Sequence, residues 1–244
     1  MLINEIFDTK ITHKQTNLPI DSKETGVEAN DSRKVIKRPF SSVVIDDDNP
    51  HTVTKISQHD DYAYNIFVDY VVKNKLAQSN PHFPRIYNIE TVTGKDDRGM
   101  PVNKYKWEIE RLNTTLHEWF GISEQPNPLR FSKEFSDELR PKLLLISEHY
   151  LSESKHKTFQ FLFGNEEIRG NDVSEKFYSC FRSSEHLKDG LFKDAFKIVE
   201  GLYKQANAPG QRGVTYDLHP NNFMLRFGRY IPQIVILDPF ASWK

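Results

Sequence analysis

The sequence predicts an α+β chain in which a sheet-rich stretch comes first and a mostly helical stretch follows. Three observations carry this expectation. Between Val35 and Leu112, four runs with strand character surround one run with helical spacing. From Asn113 onward helical spacing dominates, and it is strongest from Leu187 to Gln205. Close to the end, two short apolar runs flank Gly228-Arg229 and read as a hairpin.

The elements follow in order. Residues 1–33 are polar and charged and read as a flexible N-terminal arm. Val35 to Ile45 and His51 to Ser57 read as strands separated by Asp46-Asp47-Asp48-Asn49-Pro50, a segment of turn formers. A helix is expected from Asp60 to Leu76, with Ile66, Phe67, Tyr70 and Val71 as its apolar stripe. Phe83 to Ile89 and Tyr105 to Leu112 read as two further strands, joined by a polar loop from Thr91 to Asn103. Thr114 to Phe120 reads as a short helix. Ser136 to Leu151 reads as a longer one, with Pro141 in or near its first turn, where proline is tolerated. Ser152 to Ser184 follows no clear period. Leu187 to Gln205 keeps helical spacing through Leu191, Phe192, Phe196, Val199, Leu202 and Tyr203, and Ala208-Pro209-Gly210 stops it. Phe223 to Phe227 and Gln233 to Leu237 form the closing hairpin.

Composition narrows the function classes. The 244 residues suffice for one two-lobed domain or two small ones. A net charge of −1 leaves no electrostatic footprint for nucleic acid or an anionic membrane. The single cysteine, Cys180, excludes an intramolecular disulfide and a cysteine-based zinc cluster, and a reducing cytoplasm is the natural setting. No apolar run approaches the roughly 20 residues that span a bilayer, and the first residues lack the pattern of a signal peptide. The histidines are scattered without metal-ligand spacing. A Gly-x-Ser-x-Gly turn for a hydrolase nucleophile is missing.

The chemistry is concentrated near the end. Tyr216-Asp217-Leu218-His219-Pro220-Asn221-Asn222 is followed by Ile234-Val235-Ile236-Leu237-Asp238-Pro239-Phe240. An acid, an amide five positions on and a second acid after an apolar run are what phosphoryl transfer needs, in that order. Asp217 would orient a hydroxyl nucleophile and take its proton. The hairpin would return Asp238 beside Asn222, so that a carboxylate and an amide oxygen flank one Mg²⁺, a hard cation suited to oxygen ligands. The bland alternative is a surface turn rich in turn formers, which leaves the flanking order unexplained. His219 would either orient Asp217 or brace its loop.

Such a site also needs a lysine for the α/β-phosphates. Lys55, in Thr52-Val53-Thr54-Lys55-Ile56, is the better candidate and Lys37 the weaker. A solvated edge-strand lysine is the alternative reading of Lys55. Asp60, Asp61 and Asp69 are the acids available to hold it from the following helix, and helix capping explains a carboxylate there equally well. Trp107 reads as core packing and Cys180 as a buried thiol. The basic run Arg33 to Arg38 reads as a strand with solvated edges.

On these residues the chain resembles the protein-kinase-like superfamily over about Val35 to Lys244. Lys55 is similar to its strand-three lysine, Asp217 and Asn222 to its catalytic loop, and Asp238 to the acid of its Asp-Phe-Gly element. Asp-Leu-His-Pro-x-Asn also resembles the catalytic loop of aminoglycoside and choline kinase-like enzymes. The layout resembles the small serine/threonine protein kinases of tailed phages. The resemblance implies a two-lobed fold, with a sheet-rich lobe over 34–112 and a mainly helical lobe over 113–244. It implies ATP and Mg²⁺ as cofactors and a protein substrate, with no nucleic-acid or membrane partner. Ser41 and Ser42 would stand in a turn covering the nucleotide. Glu110, Arg111 and Leu112 would stand at the hinge beside the adenine, and Asp61 or Asp69 would orient Lys55.

Three departures accompany the resemblance. No Gly-x-Gly-x-x-Gly precedes Lys55, so close backbone approach to phosphates is harder. Asp238-Pro239-Phe240 replaces Asp-Phe-Gly. Lys244 follows Asp238 so soon that the helical lobe is expected to be minimal, cut short after the metal-binding acid. The function expected is an ATP-dependent phosphotransferase acting on serine or threonine of a protein. A small-molecule kinase and a non-catalytic, protein-binding pseudokinase are the alternatives.

Overall fold

The computed structural model describes residues 33–37, 41–46, 48–57, 61–95, 99–115, 141, 144–164, 180–181, 183–218, 222–227 and 231–242. The fold is mixed α+β. Two compact units divide it: residues up to Asn65 with Arg85–Arg111, and Ile66–Pro84 with the chain from Leu112 onward. The arm expected over 1–33 lies outside the described residues except for Arg33.

The first unit is a five-stranded antiparallel sheet. Strands β1 (Arg33–Lys37), β2 (Ser41–Asp46), β3 (Thr52–Ser57), β4 (Ile86–Lys95) and β5 (Pro101–Glu110) pair in the order β1-β2-β3-β5-β4. The single strand expected from Val35 to Ile45 is instead two. Lys37 pairs with Ser42 and Arg33 with Asp46, so the chain doubles back around 38–40. Pro39, which lacks the N–H a ladder requires, lies in that interval. The polar loop expected from Thr91 to Asn103 is mostly paired strand, with Thr91 opposite Tyr105 and Lys95 opposite Pro101. The β-branched Thr91-Val92-Thr93 favours a pleated strand, and this outweighs the polar character of the segment. Inside the sheet, Lys55 and Ser57 are the buried residues of β3, and Trp107, Ile109 and Ile89 are buried beside them. The Ser57 hydroxyl accepts from Tyr105 N at 2.8 Å.

Helix α1 (Tyr62–Lys73) begins in the first unit and ends in the second. Its expected start at Asp60 lies outside the described residues. It stops short of Leu76 because Lys75 takes a left-handed backbone, φ 51°, which ends helical propagation. A four-residue turn of helix, α2 (Leu76–Ser79), follows.

The second unit is built around aromatic side chains. Residues 144–150 are helical, as is Pro141; Leu151, the expected end of this helix, instead bridges to Leu187, and 136–140 and 142–143 lie outside the described residues. Helix α3 (Glu153–Gly164) occupies the first part of the stretch that showed no clear period, of which 165–179 and 182 lie outside the described residues. Helix α4 (Gly190–Ala206) is capped by Asp189, which accepts from Phe192 N at 2.7 Å. Its inner face is Phe192, Ala195, Phe196, Val199, Leu202 and Ala206, the spacing that Leu187 to Gln205 predicted. Phe192 meets the rings of His82, Tyr150, Phe181 and Phe196. At the other end, Asn207 closes the helix and accepts from Val214 N at 3.1 Å, steering the chain into the next strand.

Two small antiparallel sheets complete the unit. Strands β6 (Thr114–Thr115), β8 (Phe223–Arg226) and β9 (Gln233–Ile236) pair in the order β6-β8-β9. Strand β7 (Val214–Tyr216) pairs with β10 (Phe240–Ser242). The closing hairpin forms as expected, although its turn at 228–229 lies outside the described residues. The helix expected at Thr114 to Phe120 is not helical where described. Thr114 and Thr115 pair with Leu225 and Met224, because β8 presents an edge that two threonines, good strand formers, complete. Among the described residues, no helix is long and apolar enough to cross a membrane.

Candidate functional site

The second unit brings Asp217, Asn222 and Asp238 together, and backbone hydrogen bonds do most of the positioning. Asp217 follows β7, and its N–H donates to Pro239 O at 2.8 Å. That bond sets Asp217 beside the residue that follows Asp238. Asn222 precedes β8, and its carbonyl accepts from Leu237 N at 2.8 Å. That bond sets Asn222 beside the residue that precedes Asp238. The Asn222 amide nitrogen then donates to Asp217 O at 2.7 Å and to Asp217 Oδ2 at 3.0 Å. With its nitrogen so engaged, Asn222 has Oδ1 as the atom to offer a cation. His219, Pro220 and Asn221 lie outside the described residues.

Strand β9, which leads into Asp238, is gripped on both edges. On one side it pairs with β8, Ile236 opposite Phe223 and Gln233 opposite Arg226. On the other side lies His82, whose carbonyl accepts from Ile236 N at 2.9 Å. The His82 ring donates from Nδ1 to Ile234 O at 2.6 Å. Asn80 holds the turn itself: its Oδ1 accepts from His82 N at 2.9 Å, and its Nδ2 donates to Leu191 O at 2.7 Å. His82 Nε2 sits 3.5 Å from Asp189 Oδ1, and His149 lies 3.3 Å from Asp189 Oδ2. Burial nonetheless pushes the His82 imidazole below its ordinary value, outweighing Asp189. Sequence patterning missed this brace. Asn80-Pro81 carries only local turn chemistry, and no local signal ties His82 to Ile234, 152 positions on.

The first unit places Lys55 in an aromatic setting. Lys55 lies opposite Trp107 on the neighbouring strand and is only 9% exposed. Its Nζ stands 3.2 Å from the centre of the Tyr64 ring and 5.7 Å from that of Trp107. The solvated edge-strand reading therefore fails: β3 is interior to the sheet. Asp61 Oδ2 is 3.8 Å from Lys55 Nζ, while its Oδ1 accepts from Tyr64 N at 3.3 Å. One carboxylate thus caps α1 and faces the lysine, and the two expectations for Asp61 are not exclusive. Asp69 is on an exposed face of the helix, which removes it as the better choice. Asp60 and the Lys37 side chain lie outside the described residues.

The remaining candidates fall differently. Ser41 and Ser42 do not form a covering turn. They are strand residues opposite Ser57 and Ile56, because pairing with β3 continues to the start of β2. Only 38–40 remain for the connection, outside the described residues. Glu110 is buried, and its Oε1 accepts from Arg85 N at 3.0 Å. Glu110 N donates to Arg85 O and Arg111 N to His51 O. Leu112 is buried and opens the second unit. Cys180 is buried, as expected.

No protein-family model matches the chain, and no curated protein matches it. The chemistry of the site is therefore read from its own residues. The carboxylate of Asp238 and the amide oxygen of Asn222 are hard-oxygen donors of the kind Mg²⁺ accepts, since that ion retains water and phosphate oxygens as its other ligands. Among the described residues, no group of three or more His, Cys, Asp or Glu side chains forms a protein-only metal cage.

Proposed function

We propose that this chain is an ATP-dependent phosphotransferase of protein-kinase-like, two-lobed architecture, transferring phosphate to serine or threonine of a protein in the cytoplasm. The observation that carries the reading is the convergence of Asp217, Asn222 and Asp238 at the ends of β7, β8 and β9. Asp217 orients the acceptor hydroxyl and accepts its proton at a carboxylate oxygen. The Asn222 bond to Asp217 Oδ2 fixes the carboxylate's orientation. Asn222 Oδ1 and Asp238 would hold Mg²⁺, whose charge offsets that of the phosphates. Lys55 would take the α/β-phosphates of ATP, with Asp61 beside it. With the N–H groups of Glu110 and Arg111 already bonded, a main-chain N–H donated to adenine at this hinge would come from Leu112. Ser41 and Ser42, being paired strand, have no role as a covering turn.

A second reading, a pseudokinase that binds a protein partner, is favoured by one observation. Lys55 is nearly buried against Tyr64. Thermal melting with ATP, with and without Mg²⁺, separates the two readings. The phosphotransferase reading expects a Mg²⁺-dependent rise in melting temperature, and no rise supports the pseudokinase. Labelled ATP offered to protein and metabolite pools then separates a protein kinase from a small-molecule kinase.

A further inference from the structure

The Lys55 ammonium sits against two aromatic faces set nearly at right angles. Tyr64 and Trp107 are both fully buried, with ring centres 4.8 Å apart and planes at 85°. Lys55 Nζ is within the roughly 6 Å at which a cation is attracted to a ring face, for both rings. The elements fix this arrangement. Antiparallel register places Trp107 directly opposite Lys55, and the Asp61 cap starts α1 so that Tyr64 falls in its first turn. Tyr105 stacks on Trp107, with ring centres 5.8 Å apart and planes at 16°, and stiffens the indole.

A second observation points the same way. Trp107 Nε1 is buried and makes no hydrogen bond among the described residues. An orphaned buried donor costs about 1–3 kcal/mol, a penalty that phenylalanine would avoid, although its smaller ring would leave a cavity at this fully buried position. An indole retained at such a cost is explained if its π-face is used, because tryptophan is the strongest cation–π partner.

We infer that Tyr64 and Trp107 are positioning residues that clamp the Lys55 ammonium through their ring faces. The inference rests on the phosphotransferase reading for its purpose, which is to hold a phosphate-binding lysine in place beside its one facing carboxylate, Asp61. The clamp itself is a matter of the first unit alone. A ring face attracts the cation yet carries no formal charge, so the two rings hold the ammonium without adding a second carboxylate to that of Asp61.

The test is the acetylation rate of Lys55 by acetic anhydride, followed by peptide mass, alongside the KM for ATP. Tyr64→Leu removes the ring and is expected to raise the labelling rate about three- to thirtyfold. It should raise KM more than it lowers kcat. Tyr64→Phe, which keeps the ring, should restore both towards the native values. Because Tyr64→Leu can destabilise a buried site, a second series keeps the volume constant: phenylalanine with increasing ring fluorination at position 64, which weakens the π-face stepwise. The labelling rate should rise with each fluorine. A rate indifferent to fluorination, or equal in folded Tyr64→Leu and wild type, overturns the clamp. Labelling requires no nucleotide. Loss of the Mg²⁺-dependent melting shift in the wild type would therefore strike the phosphotransferase reading while leaving the clamp to be judged on its own.

Discussion

Lys55 and the Asp217–Asn222–Asp238 cluster are held by different means. In the first unit side chains do the holding: two rings and a capping carboxylate surround the lysine. In the second unit the main chain does it, through Asp217 N to Pro239 O, Leu237 N to Asn222 O and Ile236 N to His82 O. The lesson is one of sensitivity. A lysine seated by side chains responds to single substitutions around it. A cluster seated by backbone bonds tolerates changes at its neighbours and fails mainly when its own reacting groups are altered.

The largest effect separates chemistry from seating. Asp217→Ala should lower transfer from ATP by about 10²–10⁴-fold while the Mg·ATP melting shift persists, because the backbone bond of residue 217 remains. Equal turnover in the variant would remove Asp217 from the reaction. Next comes the aromatic core behind the cluster. Phe192→Ala empties the centre of a ring cluster and should cost about 3–5 kcal/mol in denaturant unfolding. A cost under 1 kcal/mol would mean that the brace around β9 does not depend on this core.

The His82 brace gives a pH test with a defined sign. Burial holds the folded imidazole below its ordinary 6.5, so the unfolded chain takes up the proton first as pH falls. Stability present above about 6.5 is therefore lost as the pH drops through that value towards the folded one. Asp189, His149, Arg226 and Tyr150 surround the ring and set the size of the effect. His82→Asn keeps a donor for Ile234 O but removes the titration, so its melting temperature should fall less between about pH 7 and pH 5. An unchanged slope would show that other groups govern acid sensitivity.

Smaller effects sharpen the contrast. Asp61→Ala removes the α1 cap and a charge facing Lys55, and should cost about 0.5–2 kcal/mol. Asp61→Asn should recover the capping part alone, which unfolding of the two variants would resolve. Smallest of all, Lys157→Ala breaks an exposed pair with Glu153 on α3, and its melting temperature should match the wild type within error, since exposed pairs stabilise little.

Helix α4, the β8–β9 hairpin and the spacing of Asp217, Asn222 and Asp238 were legible in the chain because each rests on local pattern. A long helix repeats its apolar period many times, and a hairpin needs only two runs and a turn. The extent of β4 and β5 was not legible, since polar Thr91 to Asn103 becomes strand only by pairing with itself across the hairpin. Nor was the pairing of β7 with β10, each three residues long, too short to show any period.

The sequence by itself determined the α+β class, the main helix and the order in which the acids and the amide occur. Tertiary structure alone decided that Asp217 meets Pro239, that His82 grips the outer edge of β9, and that Lys55 faces Tyr64 and Trp107. The physical reason is range. Helical period and turn chemistry act within a few residues, whereas register and packing choose partners from nine to more than a hundred positions apart, and nothing in either partner's local sequence names the other.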